Sequence, residues 1–336
     1  MGPRAAIFGC SGPVLTAEEA RFFAGANPFG FILFARNIET PDQVRRLTAD
    51  LRACVGRDAP ILIDQEGGRV QRLRAPLWRD WLPPLDEVRL AGPSAERAMY
   101  LRYRLIGAEL RACGIDVNCA PVGDIVCAGT HPFLRNRCYA DTADAVARLA
   151  RAVAQGLLDA GVLPVIKHLP GHGRARADSH LDLPRVDAPL DILRATDFAA
   201  FRPLADLPMA MTAHIVYTAL DADHPATLSR PGIRVIRDEI GCDGLLMTDD
   251  ISMGALSGDM GGRVHAALAA GCDLVLHCNG MMDEMKIVLD ASDIMSKDAL
   301  RRGDAALACR RPPVGDVGLC AADYAALAAG YGGADV

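Results

Sequence analysis

The alternation of short apolar segments with longer amphipathic ones most constrains the fold of this 336-residue chain. Eight apolar runs end, for the most part, in a polar or glycine-rich patch; they read "AAIFGCSG", "GFILFARN", "PILIDQEGG", "DVNCAPVGD", "LPVIKHLPGHG", "MAMTAHIVY", "GLLMTDDIS" and "CDLVLHCNG". The segments between them include three with helical periodicity: "TPDQVRRLTADLRACVG", "AERAMYLRYRLIGAELRACG" and "TADAVARLARAVAQGLLDAG". Strands that alternate with helices pair in parallel through right-handed crossovers. The pattern therefore predicts an α/β protein.

The number of strand–helix units favours a closed (β/α)8 barrel of the TIM type. A doubly wound sheet more usually has about five or six strands and a glycine fingerprint after the first, and no G-x-G-x-x-G occurs in the sequence. From about Met281 onward the chain has helical character without further strand signals. We therefore predict one barrel over residues 1–336, in which residues 281–336 form helices that cover it.

Composition narrows the class of partner and the cellular location. Hydrophobic residues make up 51% of the chain and charged residues 23%, as in an ordinary globular protein, and the net charge of −6 disfavours nucleic-acid binding. The N-terminus lacks the charged and apolar regions of a signal peptide, and no apolar run approaches the roughly 18 residues of a membrane span. The eleven cysteines form no C-x-x-C pair. We expect reduced thiols, a cytoplasmic location, no membrane contact and a small ligand, and a monomer is compatible with the sequence.

The arginines greatly outnumber the lysines and are scattered along the predicted helices, as in "VRRLTADLRA". Charged residues on a helix most often form its solvated face. We therefore predict that these arginines are exposed and assign them no partner.

Polar residues follow most of the predicted strands. They are Arg36, Asn37, Asp64, Gln65, Glu66, Asp124, Lys167, His168, His214, Asp249, Asp250 and His277. A single polar residue at a strand end is often only structural, but a succession of them is typical of the C-terminal face of a barrel, where active sites lie. We expect the site there.

Two adjacent aspartates end the run "LLMTDDISM". Neighbouring strand residues point to opposite faces, so Asp249 and Asp250 must point in different directions. One is predicted to be a reacting carboxylate, and the other to orient it or to cap. The alternative is that both cap the following helix.

The stretch "KHLPGHGRARADSH" combines a strand end with a loop. Pro170 ends the strand, and Gly171 and Gly173 permit strained or mobile backbone. The spacing of Asp178 and His180 in a tight turn allows the carboxylate to hold the imidazole for proton transfer.

Two other interpretations of this stretch come from its residue types. His168, His172, Asp178 and His180 could instead ligate a metal, although no fixed spacing such as H-E-x-x-H supports it. A phosphate-binding loop lacks the G-K-[ST] ending it requires.

The stretch "DQEGGRVQR" places Asp64 at a strand end and Arg72 shortly after it. This pair can grip vicinal hydroxyls or a carbonyl from opposite sides, as a polar neutral ligand such as a sugar requires. A glycine turn with a surface ion pair is the structural alternative.

These motifs, together with "LFARNI" and "MTAHIVY…PATLS", resemble those of glycoside hydrolase family 3 β-N-acetylhexosaminidases of the single-domain bacterial (NagZ) type. The similarity runs collinearly from about residue 5 to residue 280. The resemblance implies a retaining hydrolase that removes terminal β-linked N-acetylglucosamine through a covalent intermediate, in peptidoglycan recycling from 1,6-anhydromuropeptides. It implies Asp249 as nucleophile and His180 as general acid and base, with Asp178 as its partner. It also implies the sugar-binding residues Asp64, Arg72, Arg137, Lys167 and His168, and no metal or organic cofactor.

Three alternatives stay open at this point. A phosphorylase would use phosphate in place of water, with a neutral histidine as base. A metal-dependent hydrolase would use the histidine-rich loop. A non-catalytic sugar-binding barrel would use neither Asp249 nor His180 for chemistry.

Overall fold

Eight parallel strands close into a barrel in the computed structural model, which describes residues 2–175 and 183–331. We number the strands β1 to β8 in chain order. Their bounds are Arg4–Gly9, Pro28–Leu33, Ile61–Ile63, Val117–Asn118, Leu163–Leu169, Met209–Thr212, Leu245–Asp250 and Leu274–His277. Each predicted apolar run contributes one strand to the barrel, and β8 pairs with β1 to close the ring, with Val275 opposite Ala6. The predicted (β/α)8 barrel is confirmed.

Helices surround the barrel over the described residues. The α-helices are α1 Ala17–Ala26, α2 Pro41–Val55, α3 Pro84–Ala91, α4 Ala95–Ala112, α5 Pro132–Arg135, α6 Ala143–Asp159, α7 Leu190–Ala195, α8 Asp197–Phe201, α9 Arg230–Arg234, α10 Met260–Ala270, α11 Met282–Ala291, α12 Lys297–Ala308 and α13 Val317–Ala329. Short 3₁₀ turns cover Ala35–Asn37, Gly92–Ser94, Arg202–Leu204 and Ala226–Leu228, and a π-helical turn covers Val235–Glu239. The three predicted amphipathic segments form α2, α4 and α6. As predicted, the described chain after Met281 forms helices and no further barrel strand: α11 packs on β1, α12 on β7 and α13 on α4.

Strand alternation divides the core into two layers. In β1, Ile7 faces the barrel interior, where it shares a cluster with Val165 and Met247. Its neighbour Phe8 faces outward and packs against Phe23 of α1, with 6.3 Å between ring centroids. Alternate residues of the apolar runs thus fill the barrel interior, and the residues between them pack against the helices outside it.

The run "MAMTAHIVY" forms two strands rather than one. β6 ends at Thr212, and Val216–Tyr217 pairs with Arg185–Val186 in a separate two-stranded parallel sheet. Between them, the buried His214 turns its ring toward Thr227, with 2.8 Å between Nδ1 and Oγ1. This contact draws the chain away from the barrel wall, which hydropathy alone does not reveal.

The prediction that helical arginines are solvated is confirmed for some and wrong for others. Arg45 and Arg46 of α2 are exposed, but Arg102 and Arg104 of α4 are almost fully buried. A buried guanidinium needs partners for its five N–H groups. Both find backbone carbonyl oxygens, such as those of Glu66 and Val314, which are too distant in sequence for helical periodicity to reveal.

All eleven cysteines lie in the described part of the chain and are free thiols there. Burial raises the pKa of several of them, Cys10 to about 12.

Across residues 2–175 and 183–331, none of the helices combines the length and the apolar character needed to traverse a bilayer.

Candidate active site

A cavity of about 330 Å3 opens at the C-terminal ends of the barrel strands, the face predicted to carry the site. Its polar wall is formed by Asp64, Arg69, Arg72, Arg137, Lys167, His168, His172, Asp249 and Asp250. Its apolar wall is formed by Ile32, Phe34, Val70, Phe133, Met211, Met253, Leu276 and the thiol-bearing Cys278. Six of the predicted site residues therefore line one cavity: Asp64, Arg72, Arg137, Lys167, His168 and Asp249.

Asp64 and Lys167 meet across the mouth of the barrel. Asp64 follows β3 directly, and Lys167 lies in β5; the lysine Nζ donates to Asp64 Oδ1 over 2.7 Å. Arg72 contacts the other oxygen, Oδ2, at 3.4 Å. Burial alone would raise the pKa of Asp64, but the charges of Lys167 and Arg72 outweigh it and hold the pKa well below its usual range. Asp64 is thus a fixed anion between two cations.

Glu66 lies beneath the cavity wall and organises two of its cations. Its fully buried carboxylate accepts two hydrogen bonds from Arg137, at 2.9 and 2.8 Å, and Lys167 Nζ lies 2.7 Å from its Oε1. Burial would raise the pKa of Glu66, but Arg137 and Lys167 together lower it to about 2. Glu66 is among the polar residues that the sequence places at strand ends, but the sequence pattern assigns it no role. Its position between Asp64 and the glycine pair was the available signal.

Asp124 orients the two histidines at the end of β5. Its Oδ2 lies 2.7 Å from His168 Nδ1, and its Oδ1 accepts the backbone N–H of His172 at 2.6 Å. Asp124 is fully buried, outside the cavity wall. His168 Nε2 faces Arg137 at 3.4 Å. Burial, assisted by the charge of His168, lowers the pKa of His172 to about 4, so that its ring is neutral near pH 7.

Asp249 differs from the other carboxylates of the cavity. Its Oδ1 accepts the N–H of Asp250 over 2.8 Å, and within the described residues the carboxylate forms no ion pair and Oδ2 has no hydrogen-bond partner. Burial would raise its pKa, but His214, His168 and the Asp250 N–H together lower it. Asp249 is therefore an ionised, half-buried carboxylate with one oxygen directed at open space.

Asp250 differs from Asp249 in that its carboxylate is engaged by neighbouring groups. Both contribute to the cavity wall, but the Asp250 carboxylate accepts hydrogen bonds from Ser252 Oγ at 2.8 Å and from the Cys278 N–H at 3.2 Å. Neither caps a helix, because α10 begins only at Met260, after its N-cap Asp259. The capping alternative is thus wrong.

Several other strand-end polar residues are structural. His214 is buried behind β7, where its Nε2 lies 3.0 Å from the Asp250 carbonyl oxygen. Asn37 and Arg36 bind the carbonyl oxygen of Cys10, at 3.1 and 2.9 Å. His277 Nε2 contacts Glu284 at 2.9 Å. None of these four lines the cavity.

The glycines after β5 serve close packing in the described segment up to Ala175. A Cβ on Gly173 would lie 1.8 Å from the Ile125 carbonyl oxygen. One on Gly171, whose φ is +141°, would lie 2.9 Å from Asp197 Cβ. The prediction of unusual backbone is confirmed at Gly171, and the packing gives both glycines a reason other than mobility. Asp178 and His180, the predicted acid–base pair, lie outside the described residues.

The metal alternative rested on the histidines of this stretch. His168 Nδ1 is held by Asp124, and the rings of His168 and His172 stand edge to face with centroids 5.4 Å apart. Over residues 2–175 and 183–331, no three histidine, cysteine, aspartate or glutamate side chains converge as metal ligands would. Among the described groups, the cavity brings together a free carboxylate, fixed cations and two imidazoles.

Known proteins resemble this chain over most of its length. The model for "Glycosyl hydrolase family 3 N terminal domain" matches residues 16–301. A β-hexosaminidase of Alkalilimnicola ehrlichii is 40% identical over 280 residues, which cover 81% of this chain and 80% of that protein.

Solved structures agree with the sequence relatives. The crystal structure of NagZ from Neisseria gonorrhoeae in complex with N-trifluoroacetyl-D-glucosamine is 31% identical, with a TM-score of 0.84 over 99% of this chain and 98% of that one. A family 3 β-N-acetylglucosaminidase from Paenibacillus sp. is 30% identical, with a TM-score of 0.81; this chain spans 99% of its own length and 62% of that longer protein.

Proposed function

The chain belongs to glycosyl hydrolase family 3, and on that premise we propose that it is a retaining exo-β-N-acetylglucosaminidase. Its substrate is a saccharide with a terminal β-linked N-acetylglucosamine. Asp249 is the nucleophile, and His180, assisted by Asp178, is the general acid and base.

The observation that carries the proposal is the state of Asp249. Asp64, Glu66 and Asp124 are all engaged by cations or imidazoles. Asp249 is ionised as they are, but it alone among these carboxylates is free of an ion pair within the described residues while it lines the cavity. A nucleophilic carboxylate must be deprotonated and unblocked to attack an anomeric carbon.

The reaction has two steps. Asp249 Oδ2 forms a bond to the anomeric carbon while the bond to the leaving oxygen breaks, and protonated His180 gives its proton to that oxygen. Neutral His180 then takes a proton from water, whose oxygen attacks the anomeric carbon and breaks the bond to Asp249. Two inversions restore the β-configuration, and no cofactor takes part.

The ring of charge around Asp249 suits a neutral sugar. Lys167, Arg137 and Arg72 have donors near the cavity, and Asp64 has acceptors, so that hydroxyl groups can both donate and accept there. Because these groups are already paired with one another, they bring no uncompensated charge to a neutral ligand. His168, held by Asp124, adds a further polar contact.

The relatives refine the substrate class. The Neisseria protein binds N-trifluoroacetyl-D-glucosamine, an N-acylated glucosamine, and the Paenibacillus protein is named for its action on N-acetylglucosaminides. We assign this chain the same glycone, with 1,6-anhydromuropeptides of peptidoglycan recycling as the natural source and the cytoplasm as the site of action.

Hydrolysis of p-nitrophenyl N-acetyl-β-D-glucosaminide tests the proposal, with wild type and Asp249→Asn assayed side by side in phosphate buffer containing EDTA. We expect free N-acetylglucosamine from the wild type alone, released first as the β-anomer by proton NMR. Sugar 1-phosphate as the main product would replace the hydrolase by a phosphorylase. Activity abolished by EDTA would favour the metal alternative. Equal activity of Asp249→Asn would remove the nucleophile assignment.

The natural leaving group requires a second comparison. The wild type should cleave N-acetylglucosaminyl-1,6-anhydro-N-acetylmuramic acid with a higher kcat/KM than the disaccharide of two N-acetylglucosamine units. The reverse order would place the enzyme outside peptidoglycan recycling and leave its glycone preference intact.

A further inference from the structure

Glu66 holds Arg137 and Lys167, and its own main chain is held in turn by helix α4. Arg102 Nη2 donates to the Glu66 carbonyl oxygen over 2.7 Å, and the Tyr103 hydroxyl donates to the same oxygen over 3.1 Å. Arg102 and Tyr103 are fully buried. The position of the Glu66 carboxylate beneath the sugar cavity thus depends on a guanidinium that never reaches the cavity.

Gly67 makes this contact possible. A Cβ at position 67 would lie 1.8 Å from Arg102 Nη2 and 2.8 Å from the Leu82 carbonyl oxygen, to which Arg102 also donates over 2.7 Å. The φ of Gly67 is +106°, a conformation that side-chain-bearing residues rarely adopt. The first glycine of "DQEGG" is therefore required for the approach of Arg102 to the peptide that carries Glu66.

The charge of Arg102 is balanced by Glu87 of α3, and Glu87 is completed by the C-terminal helix. Arg102 Nη1 lies 3.3 Å from Glu87 Oε2, with both side chains at 0% exposure. Oε1 accepts the hydroxyl of Tyr324 in α13 at 2.8 Å and that of Tyr331 at 2.7 Å. A buried ion pair is stable only when its remaining hydrogen-bonding positions are filled. Tyr324 and Tyr331 fill those of the second Glu87 oxygen.

An aromatic contact runs beside the hydrogen bonds. Trp81 stacks edge to face with Tyr324, with 5.4 Å between centroids, and the Arg102 guanidinium lies 5.6 Å from the Trp81 ring centroid. Tyr324 therefore reaches Arg102 both through Glu87 and through Trp81. Tyr324 and Tyr331 lie beyond the 16–301 segment that the family model matches, whereas Trp81 lies within it.

We propose that α13 and Tyr331, which follows it, position the sugar-binding cations from behind the barrel wall, through the chain Tyr324 and Tyr331, Glu87, Arg102, Glu66. The four outer members are positioning residues, because none of them lines the cavity. The inference rests on the proposed function, since it concerns how a sugar site is held. Its consequence is that loss of the tyrosine hydroxyls loosens Glu66 and weakens sugar binding without touching Asp249.

The test uses the full-length Tyr324→Phe/Tyr331→Phe double variant with p-nitrophenyl N-acetyl-β-D-glucosaminide, and free N-acetylglucosamine as a competitive inhibitor. We expect KM and the inhibition constant to rise about threefold to tenfold with kcat within about twofold, as for the loss of hydrogen bonds to a buried charge. Glu87→Gln should have a larger effect. Should that variant fail to fold, the double variant carries the test alone.

The matched control is Tyr100→Phe on α4, the helix that also carries Arg102. The Tyr100 hydroxyl donates to Asp159 at 2.8 Å and takes no part in this chain of contacts. It should leave KM and the inhibition constant unchanged. A merely structural role for α13 would lower the folded fraction, and hence kcat per protein, at unchanged KM. That pattern, or a double variant identical to the control, would overturn the proposal.

Hydrogen exchange separates this inference from the proposed function. The N–H groups of Glu66 and Gly67 donate to the Val70 carbonyl oxygen at 2.8 and 3.1 Å. Their exchange should accelerate in the double variant and stay unchanged in Tyr100→Phe, whatever substrate the enzyme takes. A wild type that neither hydrolyses the glucosaminide nor binds N-acetylglucosamine would contradict the function alone, whereas unchanged exchange in the double variant would contradict the positioning chain alone.

Discussion

The two ends of the barrel carry similar charged groups with opposite consequences. At the C-terminal mouth, Asp64, Glu66, Lys167 and Arg137 form a buried network beside a cavity of about 330 Å3. At the N-terminal floor, arginine–aspartate pairs surround a larger cavity of about 620 Å3. The larger of these two cavities therefore lies at the end opposite the candidate site.

The floor network is committed to the main chain. Arg52 donates to the carbonyl oxygens of Ala59 and Gly114 and contacts Asp116 at 3.1 Å. Arg310, which follows α12, contacts Asp116 at 2.6 Å and the Asp58 carbonyl oxygen at 3.2 Å. Asp116 in turn accepts the backbone N–H of Ile61 over 2.8 Å. These bonds tie α2 and α12 to the strand ends.

The mouth network serves a carboxylate that remains free. The carboxylates of Asp64 and Glu66 hold its cations in place near Asp249. The Oδ2 atom of Asp249 meets no partner in the described chain. An ion-pair network thus marks a site when it surrounds an unengaged reactive group, and a structural joint when its bonds end on backbone. On this basis, substitutions at the mouth should affect activity and those at the floor stability.

The largest effect is expected for Asp249→Asn. The amide nearly conserves size and removes the proposed nucleophile, so kcat/KM should fall by roughly 10³-fold or more, about 4 kcal/mol of transition-state stabilisation. The free energy of unfolding, from urea titration, should change by less than about 1 kcal/mol, because Asp249 has no ion pair with the described residues to lose. A variant that unfolds in proportion to its lost activity would make Asp249 a structural residue and would erase the contrast with the floor.

Glu66→Gln should combine both effects. It leaves Arg137 and Lys167 without their fully buried partner, and we expect kcat/KM to fall about 100-fold, or nearly 3 kcal/mol, with KM for the glucosaminide raised. Steady-state kinetics at matched folded fraction would check this. A loss of stability with unchanged KM would show that Glu66 holds the wall but not the sugar-binding cations.

Asp116→Asn at the floor is the reciprocal test. Arg310 and Arg52 retain 15% and 21% side-chain exposure, so water softens the loss, and we expect about 2 kcal/mol of destabilisation in urea unfolding. kcat/KM should stay within about twofold, because the floor lies at the opposite end from Asp249. A marked rise in KM would mean that the two ends are coupled through the barrel.

The sequence was sufficient for the barrel and for the wall of the cavity. Eight apolar runs form the eight barrel strands because each run is buried on both faces. The residues just after parallel strands share one edge of the sheet. Asp64, Lys167, His168 and Asp249 therefore meet for a topological reason. Arg137, which lies in the loop after β4, was assigned through the family resemblance.

The supports of the site were beyond reach of the sequence. Arg102 was predicted to be solvated, yet it is buried against the peptide of Glu66, 36 positions earlier in the chain. Its partner Glu87 is completed by Tyr331, 244 positions later. Neither helical periodicity nor local spacing encodes such separations, so only the packed structure reveals them.

The smallest effect is expected at Glu109 of α4, a carboxylate that has neither the pairing of the mouth nor that of the floor. Its Oε1 lies 3.6 Å from Arg79 Nε, its Oε2 is buried without a partner in the described residues, and burial, only partly offset by Arg79, raises its pKa from 4.5 to about 7. Because the pKa is higher in the folded state, the stabilisation from Glu109 is complete below pH 4.5 and is lost as the pH rises through 7.

Glu109→Gln should therefore match the free energy of unfolding of the wild type near pH 4.5 and exceed it by about 1–2 kcal/mol in urea unfolding at pH 8. kcat/KM should be unchanged, and Asp116→Asn, which breaks ion pairs with Arg52 and Arg310, should show no such gain at high pH. Equal stability of Glu109→Gln and the wild type from pH 4.5 to pH 8 would contradict this prediction. It would mean that Arg79 stabilises the Glu109 carboxylate as fully as the cations of the mouth and the floor stabilise the carboxylates there.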